Sequence, residues 1–219
     1  MQDTSSLGSP AIRIVLFMTQ ERAADVPAAD HLLACMLPLG TASFAERVMD
    51  SCAIAGVRQI DLVVSEHPEA LRAALQDGTP WGIKLNWHYA KESDSPYIVL
   101  RGMGLKPNEH VVIGHGHQWV SSRILRELLE ITSAATYVNS ELVWTGWFSA
   151  STEALSSLGH NTDYSSLTQY AHKIEGARCV LAAPTEFAQN LSATDLLASQ
   201  KHALDGTQEA AIPASWLRM

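Results

Sequence analysis

The 219-residue sequence is short of charge, of cysteine and of long apolar runs, and each shortage removes a class of protein. Only 17% of its residues are charged while 47% are apolar, which is too hydrophobic for a disordered chain and lacks the charge-rich composition of a coiled coil. No apolar run approaches the roughly 20 residues of a membrane-spanning helix. Cations are outnumbered, 15 Lys and Arg against 23 Asp and Glu, for a net charge of −8. Scattered as they are, they form no cluster able to displace counterions from a nucleic acid. Cys35, Cys52 and Cys179 stand far apart with no Cys-x-x-Cys pair, and the first residues lack the basic-then-apolar pattern of a secretion signal. The expectation is buried free thiols and a cytoplasmic location. What remains is a globular chain with enough apolar material to bury a core.

Residues 1–11 read as a flexible tail, and residues 12–18 (IRIVLFM) as a strand buried on both faces. A helix is predicted from Ser43, where Ser43 and Glu46 have capping-box spacing and Phe44, Val48, Met49 and Cys52 recur at helical intervals up to Gly56. Residues 60–64 make a second strand, His67-Pro68 opens a helix that Gly78 ends, and residues 83–89 alternate as a half-buried strand does. Residues 110–113 (HVVI) repeat the buried-strand pattern. From Ser121 to Thr132, Ile124, Leu125, Leu128 and Leu129 share one helical face, with Arg123, Arg126, Glu127 and Glu130 opposite. Two strands are expected within 135–148, helices near 151–158 and 163–175, a strand at 178–182 and a last helix over 193–204. Alternating strands and helices with short connections predict one α/β domain over 12–206, a mainly parallel Rossmann-like sheet flanked by helices, with its ligand crevice beyond the carboxyl ends of the strands. The tail 207–219 carries Ile212, Trp216 and Leu217 and is expected to pack back or to begin a missing extension.

The stretch LPLGTASFAERVMDSCAIAGVRQIDLVVSEHPEALRAAL, residues 37–75, resembles the sugar nucleotidyltransferases, the nucleotide-diphosphosugar pyrophosphorylases that include mannose-1-phosphate guanylyltransferases. Trp81-Gly82-Ile83, the VVIGHGH segment, TGWFSASTEAL and NLSATDLLASQKHALDG follow in the family's order, so the resemblance runs from about residue 12 to 206. It implies the GT-A-like fold of that family. It also implies attack of a sugar 1-phosphate on a nucleoside triphosphate, chemistry that depends on positioning and on neutralising an anionic transition state.

Three devices that the resemblance associates with that chemistry are missing here. A glycine-rich phosphate loop is replaced by TQERAADVPAADHLLAC, which has no glycine and sets Glu21, Asp25 and Asp30 against Arg22. The family's lysine aligns with Ala34. The two aspartates that hold Mg²⁺ align with His117 and Asn190, neither of which offers the carboxylate oxygen that this ion prefers. The stretch Thr19 to Ala34 is therefore expected to be an irregular loop that wraps no phosphate.

The residues expected to line the ligand crevice are Gly114, His115, Gly116, His117, Trp144, Trp147 and Asn190. His-x-His can aim two imidazoles at one Zn- or Ni-type metal, since alternate residues of a strand share a face. No third ligand is apparent, so the other reading is two histidines lining a crevice. Trp144 and Trp147 offer stacking faces to a sugar or base, or else pack in the core. The expectation is a catalytically degenerate domain needing no cofactor, acting as a binding or scaffolding module in sugar-nucleotide or surface-polysaccharide biosynthesis. Its partners would be a sugar nucleotide, a sugar phosphate or a protein, with no nucleic acid and no membrane span. The competing expectation is an active, Mg²⁺-dependent nucleotidyltransferase.

Overall fold

A computed structural model describes residues 12–19, 33–64, 68–91, 98–107, 109–131, 135–138, 144–156, 178–189 and 192–204. The helix expected over 163–175, both tails, Asn190 and most of the stretch between Thr19 and Ala34 lie outside the described residues.

In chain order the elements are β1 (Ile12–Met18), β2 (Pro38–Leu39), β3 (Ala42–Ser43), α1 (Phe44–Ile54), β4 (Gln59–Val64), α2 (Pro68–Leu75) and β5 (Lys84–Tyr89). Then come α3 (Val99–Gly102), β6 (His110–His115), β7 (Gln118–Val120), α4 (Ser122–Glu130), β8 (Ala135–Val138) and β9 (Trp144–Ser151). The last are α5 (Thr152–Ser156), β10 (Arg178–Leu181), β11 (Phe187–Gln189) and α6 (Ala193–Leu204). One sheet runs in the order β10-β8-β9-β6-β1-β4-β5. Every neighbouring pair in it is parallel except those made by β9, which runs against both β6 and β8. The chain is thus an α/β fold with a mainly parallel sheet.

Local chemistry accounts for the elements nearest the carboxyl ends. Ser43 caps α1 in a reciprocal capping box: its hydroxyl accepts from the Glu46 N–H, and the Glu46 carboxylate accepts from the Ser43 N–H at 2.8 Å. Phe44, Val48, Met49 and Cys52 are fully buried along one face. Ser121 caps α4, whose Ile124, Leu125 and Leu128 are buried while Arg123 and Arg126 stay exposed. Alternation along the strands separates two cores. Ile14, Leu16, Met18, Leu62 and Val112 face α1, α2 and α4 on one side, and Val15, Phe17, Val63, Ile113 and Phe148 face α3 and α5 on the other.

The short elements depart from the sequence pattern. The β2–β3 hairpin, α3 and the antiparallel pair β7–β11 carry too few residues to show a period. β6 extends two residues past the expected 110–113, through Gly114 and His115, and β9 continues to Ser151. Tertiary pairing extends both: Leu16 and Phe17 of β1 are the partners of Gly114 and His115. No helix among the described residues is long and apolar enough to cross a membrane.

Candidate functional site

The expected crevice lies where β1, β4 and β6 end, and His115, His117 and Trp147 there are buried against one another and their neighbours. After His115 the chain turns at Gly116, whose N–H donates to the Phe17 carbonyl at 2.9 Å, and enters β7 two residues later. His115 is fully buried, with its ring stacked on Phe17 at 5.6 Å between centroids. His117 is 2% exposed and meets His115 edge-on at 5.7 Å. Trp147 is fully buried, and its indole N–H donates to the Gln118 carbonyl at 2.7 Å. Trp144 begins β9.

Glycines make this packing feasible. A Cβ on Gly114 would come within 2.5 Å of the Trp147 ring, and one on Gly116 would overlap the Met18 sulfur. Gly146 has φ +81°, and a Cβ there would overlap the Gln118 amide. Gly146 also anchors His115: its carbonyl is 2.9 Å from Nδ1, and since a carbonyl can only accept, Nδ1 carries the proton. Gly146 and Gln118 escaped the sequence reading. The available signal was a glycine inside a strand-like run, TGWF, which marks a close backbone approach.

Burial keeps the two histidines at this end of the sheet uncharged near neutral pH. Burial pushes the His115 imidazole down to about 4, against a smaller upward pull from the Gly146 carbonyl. Burial, with His115 beside it, holds His117 well below its ordinary value. The structure therefore brings the two histidines together as uncharged rings. Among the described residues no group of three or more His, Cys, Asp or Glu is placed to hold a metal ion. Two imidazoles offer nitrogen, and Mg²⁺ takes hard oxygens, so the described residues here do not fit that ion. Ala34, at the position aligned with the family's lysine, is 1% exposed in a 3-10 turn over Ala34–Met36.

A charged cluster among the described residues lies elsewhere, on β1, β4 and β5. Asp61, with its side chain 2% exposed, takes Arg13 in a two-pronged pair, Nε at 2.7 Å and Nη2 at 3.1 Å. It also takes the Asn86 amide at 3.3 Å and His88 Nε2 at 2.7 Å. Burial pushes the Asp61 carboxyl up, but Arg13, His88 and Asn86 outweigh it, and the net shift is downward. Arg13 also donates to the Met103 carbonyl just after α3 at 3.2 Å, tying that helix to the sheet. A second structural network buries Arg47 completely, its guanidinium reaching the Leu39 carbonyl, Thr41 and Asp50, while Asp50 accepts the Trp81 indole N–H at 2.8 Å.

A cavity of about 390 Å³ between α3 and α5 is lined by Leu100, Arg101, Gly104, Leu105, Thr152 and Leu155. It sits at the opposite end of the sheet from His115, because Thr152 follows Ser151, which pairs with His110 at the start of β6.

No known family profile matches the sequence, and no curated protein matches it. Solved structures do match. A protein from Bacillus anthracis described as a glucose-1-phosphate thymidylyltransferase, solved with a sucrose, superposes with a TM-score of 0.70 at 10% identity, over 87% of this chain and 94% of that one. Rv0371c from Mycobacterium tuberculosis gives 0.68 at 15% identity, over 89% and 100% of the two chains. The same protein has also been solved with manganese; that structure gives 0.60 at 16% identity, over 79% of this chain and 89% of the other. HddC from Yersinia pseudotuberculosis gives 0.63 at 12%, over 86% and 98%. At these identities it is the fold that is shared: the chain has a sugar nucleotidyltransferase-like fold, as its motifs imply.

Proposed function

We propose that the chain is a catalytically degenerate sugar-nucleotidyltransferase-like domain, a binding or scaffolding module that serves sugar-nucleotide or surface-polysaccharide biosynthesis. The observation that carries this reading is His117. At the position where the resemblance expects a magnesium-holding aspartate stands a buried, uncharged imidazole packed against a second one. A pyrophosphorylase must gather positive charge around a triphosphate and hold it in line with the attacking phosphate. The described residues at this end of the sheet supply neither a carboxylate pair for Mg²⁺ nor a cation at position 34. Fold and chemistry are separable properties, and the packing positions can be kept while the reaction centre is filled.

Binding without turnover is the activity this reading predicts. Calorimetric titration with nucleoside triphosphate plus Mg²⁺ tests it, with hexose 1-phosphates and nucleotide sugars as the other titrants. The expected result is heat from a sugar phosphate or nucleotide sugar and none from the triphosphate at micromolar concentrations. Micromolar or tighter triphosphate binding that requires Mg²⁺ would favour an active nucleotidyltransferase instead.

A further inference from the structure

β5 is the last strand of the sheet, and its outer edge is open among the described residues. Its inner edge is settled by hydrogen bonding: the Lys84 N–H donates to the Arg58 carbonyl and the Ala90 N–H to the Val64 carbonyl, each at 2.9 Å. With the parallel register Gln59↔Lys84 to Val64↔Tyr89, the even-numbered residues turn their main chain toward β4. The odd-numbered Leu85, Trp87 and Tyr89 turn theirs outward. On one face of the sheet these three also carry the apolar side chains. Leu85 and Trp87 are partly buried against the core, and Tyr89 is 53% exposed. Arg72 of α2 lies over both rings, 4.8 Å from Trp87 and 5.8 Å from Tyr89, and donates to the Tyr89 hydroxyl.

We propose that this edge pairs with the same edge of a second copy of the chain, antiparallel across a twofold axis at Trp87, so that two sheets join into one. A twofold axis perpendicular to the sheet makes like edges meet antiparallel, and the interface must then be complementary to itself. The edge meets that condition. Centred on Trp87, the register sets Trp87 opposite the partner's Trp87 and Leu85 opposite the partner's Tyr89, each pair exchanging two main-chain hydrogen bonds. Aromatic and aliphatic cross-strand pairs of this kind stabilise a ladder. On the other face Asn86 meets the partner's His88, and Lys84 meets the partner's Ala90, so no like charges oppose each other there. A slip of two residues either way would leave one of the three outward residues without its pair. Natural sheets commonly protect open edges with lysine or other charge, proline or a bulge; in β5, KLNWHY, the only such residue is Lys84 at the strand's start, and the central Leu85 to Tyr89 carry none.

The seam is small beside the roughly 1,200–2,000 Å² of stable interfaces, so the expected dimer is weak and dissociates on dilution. Sedimentation of the full chain over a hundredfold concentration range should show a reversible monomer–dimer equilibrium. Trp87→Lys, which places two cations face to face, should weaken it at least tenfold, and so should Tyr89→Lys, at an exposed position where the fold is spared. Register is tested by cysteine. Trp87→Cys puts two thiols on the axis with Cα atoms about 5.5 Å apart, within reach of a disulfide, and should cross-link on mild oxidation. Tyr89→Cys, displaced along the strand from its own copy, should not. A monomer at every concentration, a dimer unmoved by either lysine, or equal cross-linking at 87 and 89 would overturn the proposal.

Discussion

Two buried polar clusters in the same sheet treat charge in opposite ways. Asp61 is ionised and answered by Arg13, Asn86 and His88. His115 and His117, at the carboxyl ends of the strands, are kept uncharged by burial. A buried charge is tolerated only when paired and hydrogen-bonded. The molecule provides that pairing where it fastens β1, β4 and β5 to the turn after α3. At the end of the sheet where a phosphoryl-transfer centre would require it, the described residues pack neutral rings around three glycines. The contrast sets a paired, charged cluster that ties strands together against an uncharged one at the carboxyl ends of the strands.

The strongest test of the neutral cluster is steric. Gly146→Ala forces a side chain into a left-handed backbone conformation and onto Gln118. The combined strain and overpacking should destabilise the fold by about 4 kcal/mol, read from a urea midpoint. A loss well under about 1 kcal/mol would mean that the strand end is looser than its packing indicates. At the charged cluster, Asp61→Ala leaves Arg13 and His88 without their carboxylate. The expected cost is about 3 kcal/mol, at the lower end for a broken buried pair because Arg13 keeps 20% of its side-chain surface in water.

Acid should separate the two clusters. His115 titrates near 4 in the folded chain and near 6.5 when unfolded. Between those values the unfolded chain binds more protons, so stability falls as pH falls. From pH 7 to 5, His115 alone accounts for a loss of about 2 kcal/mol, and the lowered His117 and His110 act in the same direction. Asp61, lowered from 3.8, contributes stability that is fully present above that value and is lost only as pH falls through its lower folded value. Urea midpoints taken at pH 7, 6 and 5 should therefore decline, and a flat series would contradict the neutral-histidine account.

Much of this architecture was legible in the residues. The long, periodic elements around Ser43, Pro68 and Ser121 agree with their capping and apolar patterns because local propensity and burial point the same way. GHGH was legible as a special place, and its two histidines do meet. Their burial was not, because it depends on Phe17 and Gly146, far away in sequence and next to them only in the fold. The Asp61 cluster was hidden for the same reason: Arg13, Asp61, Asn86 and His88 come from three strands, and a lone Asp in IDLVV carries no sign of its partners.

The smallest expected effect is none at all. Restoring single residues, Ala34→Lys or His117→Asp, should produce no pyrophosphate release, because positioning and charge neutralisation act as a unit. A lysine at 34 would start from a buried methyl site, and an aspartate at 117 would be enclosed beside His115.

The central claim is tested most directly by the unmodified protein. Incubated with each common nucleoside triphosphate, Mg²⁺ and a panel of hexose 1-phosphates, it should release no pyrophosphate above the protein-free background. Sustained turnover with any pair of substrates would contradict the account and identify the chain as a working nucleotidyltransferase.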